Sequence, residues 1–192
     1  MALAATLTLA SDVSQSAGMT KTGATTFFSQ INETSLNTAN SIGSGSTVSA
    51  GYSAEFTLTD MPKALGIDSV VFTISAGVGA TDHEDTQRTR AFIRHAGTRS
   101  NETWVLATSS ATPRTWTLTL NPVAGTPWTQ AAVNALQCGI ELEYGTIAGS
   151  YSTCWMLYAT VNYTPTPANI DGARSFASRD LWMMRSPQTH AT

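Results

Sequence analysis

The chain has 192 residues, a formal net charge of -3 and only 12% charged residues, against about 25% in an average globular protein. This length suits one sizeable core, and the scarce, scattered cations argue against a nucleic-acid surface, which needs clustered positive charge. No signal peptide and no membrane-spanning segment is predicted, since no apolar run approaches the roughly 18 residues that a spanning helix requires. A surface so poor in charge favours an assembled state over a free monomer.

Residues 1–51 are expected to form an N-terminal arm that carries edge strands. Alternation of Leu3, Leu7 and Leu9 with threonines predicts one strand, and residues 25–31 (T-T-F-F-S-Q-I) predict a second. The tracts around them are rich in Gly, Ser and Asn, and they are too polar to bury a core of their own. Two interpretations remain equal here, a flexible loop and an extended arm that orders against a neighbouring subunit.

Residues 52–163 carry the patterns of a β-sandwich core. Apolar and polar residues alternate with the period of two that is typical of strands. Seven strands are predicted, at 52–58, 67–75, 90–96, 104–108, 115–120, 138–144 and 154–163. Short alternating strands separated by turn signals predict an all-β fold, an antiparallel β-sandwich or jelly roll, with extended N- and C-terminal arms.

One short helix interrupts this pattern at about residues 129–137. The turn at 121–127 (N-P-V-A-G-T-P) leads to Trp128, and Thr129 is well placed to cap the first helical turn. We expect the helix to close one end of the sandwich, with the Trp128 ring over the edge of the core.

The predicted core draws on this helix and on the two strands that follow it. The strand at 154–163 has apolar side chains on both faces, so it is expected at the centre of a two-layer domain. Its residues Trp155, Leu157, Ala159, Val161 and Tyr163 are predicted to share one face. The predicted core residues are Trp128, Val133, Leu136, Ile140, Leu142, Trp155, Leu157 and Val161.

Two groups of acidic residues are candidates for chemistry. Glu141 and Glu143 lie on one face of a strand, about 7 Å apart by strand rise, a separation that paired glycosidase carboxylates can show. The alternative, which strand glutamates far more often fit, is a solvated face. Residues 82–85 (D-H-E-D) could bind a divalent cation, but they match no calcium-loop spacing and favour a solvated connection.

No catalytic set assembles from these residues, because the chain has no nucleophile elbow, no zinc spacing and no phosphate-binding glycine loop. The prediction is therefore a protein that is not an enzyme and has no metal and no cofactor. Cys138 and Cys154 could form a disulfide, yet buried free thiols are the commoner case and are favoured here.

The C-terminal segment at 164–192 begins with prolines that end the sheet. It then carries an apolar group without strand alternation, a composition typical of interface cores. The predicted interface residues are Phe176, Leu181, Trp182, Met183 and Met184. They either fold back on their own domain or dock onto another chain, and the second interpretation is slightly favoured.

The run at 119–142 (T-L-N-P-V-A-G-T-P-W-T-Q-A-A-V-N-A-L-Q-C-G-I-E-L), followed by a Tyr- and Val-rich strand, resembles segments of β-rich virion structural proteins of tailed bacteriophages. The resemblance covers about a quarter of the chain and rests on packing residues. It implies a capsid decoration (cement) protein that bridges capsomers through its arms. It would be a homotrimer, with the major capsid protein or other virion proteins as partners, in a virion assembled in the host cytoplasm.

Two other functions remain open. One is a neck or tail component of the virion. The other is a carbohydrate-binding β-sandwich module, since sandwiches often bind sugars through exposed aromatic rings. The aromatic residues available for this are Trp104, Trp116, Tyr151 and Trp155.

Overall fold

A computed structural model describes residues 2–23, 25–44, 51–78, 87–108, 111–143 and 151–165. The elements within them are β1 (Leu3–Leu7), β2 (Leu9–Gln15), β3 (Thr20–Thr22), α1 (Phe28–Ile31), β4 (Ser41–Gly43), β5 (Tyr52–Leu58), β6 (Ala64–Val78), β7 (Arg88–His95), β8 (Thr98–Asn101), β9 (Val105–Leu106), β10 (Arg114–Leu118), α2 (Gln130–Asn134), β11 (Gln137–Leu142) and β12 (Ser152–Pro165).

The strands form two six-stranded antiparallel sheets. Sheet I has the order β10-β6-β12-β4-β3, with β1 also paired to β12, and sheet II has the order β2-β5-β11-β7-β8, with β9 also paired to β7. Apolar side chains from both sheets pack into one buried cluster between them. The predicted fold class, an all-β antiparallel sandwich, is confirmed.

The two strands that follow α2 lie at the centres of opposite sheets. β11 pairs with β5 on one side and β7 on the other, while β12 pairs with β6 along most of its length and with β1 and β4 on its other edge. The chain therefore crosses from one layer to the other between these neighbouring strands. The central position predicted for the strand at 154–163 is where β12 lies.

Most of the predicted core residues are buried. Those in the buried cluster are Trp128, Val133, Leu136, Ile140, Leu142, Leu157 and Val161. Trp155 is the exception and is only half-buried. The register of β12 against β6 shifts between Cys154 and Met156, so a β-bulge at Trp155 breaks the alternation. As a result Cys154, rather than Trp155, joins Leu157 in the core.

The described part of residues 1–51 is built into the sandwich, which corrects its interpretation as an arm. β1 joins sheet I and β2 joins sheet II, so the chain changes layers at Thr8. Leu7, Leu9, Ile31 and Ile42 are buried in the common core. Edge strands are present as predicted, and the surface that they cover is the chain's own.

Residues 25–31 do not form the predicted strand but contain the single helical turn α1. The backbone N–H groups of Phe27 and Phe28 donate to the two carboxylate oxygens of Asp12, at 3.1 and 2.6 Å. A carboxylate that accepts from the first N–H groups of a turn acts as a cap. Since Asp12 lies on β2, a tertiary contact overrides the local β-propensity of this run.

Replacing Asp12 with alanine should lower the free energy of unfolding by about 1 kcal/mol, within the 0.5–2 kcal/mol range of lost caps. Asp12→Asn keeps one acceptor oxygen and should lose less. Urea unfolding of the three proteins gives the comparison. Equal midpoints for wild type and Asp12→Ala would contradict a capping role.

The turn before α2 is organised by Asn121, which is buried. Its Oδ1 accepts from the N–H groups of Val123 and Ala124, at 3.0 and 3.3 Å. Its Nδ2 lies 3.1 Å from His95 Nδ1, which ties the turn to the end of β7. Because backbone donors occupy Oδ1, Nδ2 is the donor and the imidazole nitrogen accepts.

Trp128 and α2 then close this end of the sandwich. The Trp128 ring is 4% exposed, and its Nε1–H donates to the carbonyl of Leu118 at 3.1 Å. The Thr129 hydroxyl accepts from the N–H of Ala132 at 3.1 Å, as predicted for the cap. The helix spans fewer residues than predicted, because the chain enters β11 at Gln137.

Candidate functional site

Charged side chains concentrate on the outer face of sheet II. The strands of this sheet alternate, so one set of side chains points into the core and the other points outward. We define the charged face as Glu55, Arg88, Arg90, Arg94, Arg99, Glu141 and Glu143. It holds four of the ten Lys and Arg residues of the chain.

The charged face is divided into an acidic half and a basic half. Glu55 lies on β5, and Glu141 lies on the neighbouring strand β11 with Glu143 directly after it. The four arginines lie on the next two strands, β7 and β8. Glu141 is directly opposite Arg90 in the ladder, and the Glu143 N–H donates to the Arg88 carbonyl. The boundary between the halves therefore runs along the β11–β7 ladder.

Ion pairs cross this boundary. Arg88 forms a bidentate pair with Glu143, at 2.8 and 3.0 Å, and this hydrogen bonding raises the pKa of Arg88. Arg90 Nε donates to Glu141 at 2.8 Å. Arg99 also pairs with Glu141, so this carboxylate serves two guanidinium groups.

A further ion pair joins β7 to β5, the strand on the far side of β11. Arg94 Nε donates to Glu55 at 2.6 Å across β11, which raises the pKa of Arg94. The Glu55 side chain is only 6% exposed. Burial, in contrast, lowers the pKa of Arg99, although Glu141 acts against that shift.

Two aromatic rings hold the arginines flat against the sheet. Phe92 points outward yet is 1% exposed, because its ring lies over Gly139, and the Arg99 guanidinium lies 3.7 Å from the ring centroid. The Arg90 guanidinium lies 4.1 Å from the ring centroid of Trp104. Stacking of this kind is a cation–π interaction. The charged face is thus a preorganised layer of planar groups.

This geometry suits binding better than catalysis. Glu141 and Glu143, predicted to be a solvated side, are covered by arginines and are 14% and 21% exposed. Each carboxylate is held as an acceptor of guanidinium hydrogen bonds. Neither is placed as a proton donor, so the arrangement can recognise a surface through charge and hydrogen bonds.

Other candidate residues lie apart from this face or outside the described ranges. The interface residues Phe176, Leu181, Trp182, Met183 and Met184, and the acidic run 82–85, are outside them. In the ranges that are described, no cluster of three or more His, Cys, Asp or Glu residues could hold a metal ion. None of the helices in these ranges is long and apolar enough to cross a membrane.

Both cysteines are free and fully buried, which confirms the interpretation as thiols. They lie on the central strands of opposite sheets, Cys138 on β11 and Cys154 on β12. Burial raises the pKa of both thiols, that of Cys154 to about 12. They are therefore inert core residues rather than nucleophiles.

The four aromatic residues considered for sugar binding do not form one platform. Trp104 lies beside the charged face of sheet II. Trp116 is on β10 in sheet I and packs on Phe72, with ring centroids 5.8 Å apart. Trp155 is on β12, and Tyr151 directly precedes that strand. The rings are thus divided between two sheets.

Sequence reasoning did not find the charged face, although a signal was present. Arg90, Phe92 and Arg94 alternate along one predicted strand, and Glu141 and Glu143 alternate along another. Pairing of those two strands would have placed opposite charges side by side. The sequence alone does not show that these two strands are neighbours in the sheet.

No protein-family model matches the chain, and no curated protein matches it either. Among solved structures, a xylan-binding module, CBM15, aligns over 81% of this chain and 97% of its own length, with 20% identity and a TM-score of 0.35. Xylanase10C from Cellvibrio japonicus (mutant E385A, in complex with xylopentaose) aligns over 79% of this chain and 28% of its own, with 16% identity and a TM-score of 0.33.

Proposed function

We propose that this chain is a structural protein of a tailed-phage virion, and that it is a capsid decoration protein rather than an enzyme. The supporting observation is that the run at 119–142, which resembles such virion proteins, is one continuous structural unit. It contains the Asn121 turn, the Trp128 contact, α2 and the central strand β11. The packing residues of this run thus form an end cap and a central strand.

The proposed role is mechanical. A sandwich with a shared core and both central strands paired on two sides is a stiff body. Placed over the junction between capsomers, such a body adds buried interface that must be broken before the shell ruptures. The C-terminal segment 164–192, with its apolar group, would latch the body to the major capsid protein or to another subunit of a homotrimer. The site of action would be the virion.

Deleting residues 172–192 should leave a folded sandwich that no longer binds heads, because the apolar latch is removed. The measurement is co-sedimentation of purified protein with heads of the phage that encodes it, with unfolding of the free protein as the test of folding. The heads should also rupture at a lower temperature without the bound full-length chain.

A matched pair of full-length variants separates apolar contact from chain length. One replaces Leu181, Trp182 and Met183 with serine, and the other replaces Ser178 and Gln188 with alanine. Only the first should lose binding. Normal binding of the truncated chain to heads would contradict the proposal that the C-terminal segment attaches the sandwich to them. If the labelled protein is found at the neck or tail of the virion instead of the head, a neck or tail role replaces the decoration role. If the protein is retained on insoluble polysaccharides, a carbohydrate-binding role replaces it.

A further inference from the structure

We propose that the charged face binds the charged face of a second copy of this chain through a two-fold contact. The basis is its division into an acidic half on β5 and β11 and a basic half on β7 and β8. A surface with two complementary halves side by side is self-complementary. Two-fold dimers use such isologous contacts, in which the same patch serves both partners.

The register of the strands defines the contact. A two-fold axis that runs parallel to the strands, above the β11–β7 ladder, places β7 of one copy over β11 of the other. This rotation leaves the position along the strand unchanged. Arg90 is directly opposite Glu141 in the ladder, and Glu143 is hydrogen-bonded beside Arg88. In the dimer, Arg90 of one copy therefore faces Glu141 of the other, and Arg88 faces Glu143.

The outer strands match in the same way. The axis places β5 of one copy over β8 of the other. Glu55 and Asn101 lie at the same height, since both align with the Gly139–Phe92 pair of the central ladder. Glu55 then faces the Asn101 amide and the neighbouring Arg99. Sliding one copy sideways by one strand would leave part of the arginine or glutamate row without an opposite charge, so this register is preferred.

The side chains are already ordered for such a contact. Arg99 is stacked on Phe92, and Arg90 is stacked on Trp104, so little rotamer entropy remains to be lost on binding. A guanidinium group has five N–H donors. In Arg88, two of these donors are used in the ion pair with Glu143. Donors therefore remain for a carboxylate of the second copy.

Charge complementarity is the reason to prefer a second copy over other occupants. A neutral polysaccharide would not need adjacent rows of opposite charge, and an acidic or basic partner would match only one half of the face. The contact forms between isolated chains and does not depend on the virion role proposed above.

The test uses two variants at the rim of the face. Arg88→Glu leaves an acidic residue at both positions 88 and 143, and Glu143→Arg leaves a basic residue at both. Arg88 has a side chain that is 50% exposed, so the sandwich tolerates the change. Each variant alone places like charges opposite each other in the dimer. The dissociation constant of the variant dimer should therefore be about tenfold or more higher than that of the wild-type dimer. Analytical ultracentrifugation over a range of concentrations measures it.

Mixing the two variants should restore association, because an acidic face then meets a basic one, and the double variant Arg88→Glu/Glu143→Arg should restore it within one chain. Wild-type association should weaken as salt rises. Lys63→Glu and Asp68→Arg, at exposed positions away from the face, make the same changes in net charge and should have no effect. A monomeric wild type, a trimer unaffected by the face variants, or a mixture that stays dissociated would each overturn the proposal.

Discussion

Trp128→Ala is expected to lower the free energy of unfolding by about 3 to 5 kcal/mol, the range of buried Trp or Phe truncations. The ring is 4% exposed and packs with the buried cluster at the end of the sandwich. Its removal leaves a cavity where α2 meets the sheets, and it leaves the Leu118 carbonyl without the indole donor. For a chain of this size the melting temperature should fall by about 6 to 20 °C.

Two further variants separate the contributions. Trp128→Phe keeps most of the packing and loses the hydrogen bond, so it should cost about 1 to 3 kcal/mol less than Trp128→Ala. Trp155→Ala removes the same side chain from a half-buried position and should cost less than Trp128→Ala. Denaturant unfolding of all three gives the comparison. Equal losses at Trp128 and Trp155 would show that the end contact has no special part in stability.

The two tryptophans also show where sequence patterns suffice and where they do not. The N-P-V-A-G-T-P turn, the Thr129 cap and the apolar spacing of α2 are local signals, and they predicted the helix that Trp128 adjoins. The bulge at Trp155 depends on how β12 pairs with β6, which lies about 80 residues earlier in the chain. Alternation alone therefore placed the wrong residue of β12 in the core.

Long-range contacts account for the other differences. Residues 25–31 have the composition of a strand, and they turn because Asp12 accepts their N–H groups. β11 and β12 are neighbours in the sequence but belong to different sheets. The β-sandwich class follows from strand number and alternation, whereas the layer that each strand joins is decided by packing.

The charged face could be predicted least of all. Its ion pairs join residues that are far apart in the chain, and the Arg88–Glu143 pair spans 55 positions. Each strand alone shows only a row of like charges, which is typical of a solvated surface. Complementarity appears only after β11 and β7 are known to be neighbours. The self-association that we propose for this face could therefore not be predicted from local patterns.

Gly139→Ala is expected to lower the free energy of unfolding by about 3 kcal/mol or more, at the upper end of the cost of overpacking. Gly139 is in the middle of β11, and a Cβ atom there would lie 2.2 Å from Phe92 Cζ and 2.3 Å from the carbonyl oxygen of Ala54. Neither neighbour can move easily. The Phe92 ring lies beneath Arg99, and the Ala54 carbonyl belongs to the backbone of β5, the strand that pairs with β11.

Gly66→Ala is the matched control, because it is also a strand glycine and its added Cβ would have no heavy atom within 4 Å. It should be neutral or stabilising by up to about 1 kcal/mol, through the lower entropy of the unfolded chain.

Adding Phe92→Leu to Gly139→Ala should not restore stability, since the contact with the Ala54 carbonyl remains. Similar unfolding midpoints for the two alanine variants would contradict the close approach at Gly139. Because Phe92 supports Arg99, Gly139→Ala should also weaken self-association under conditions in which the sandwich remains folded.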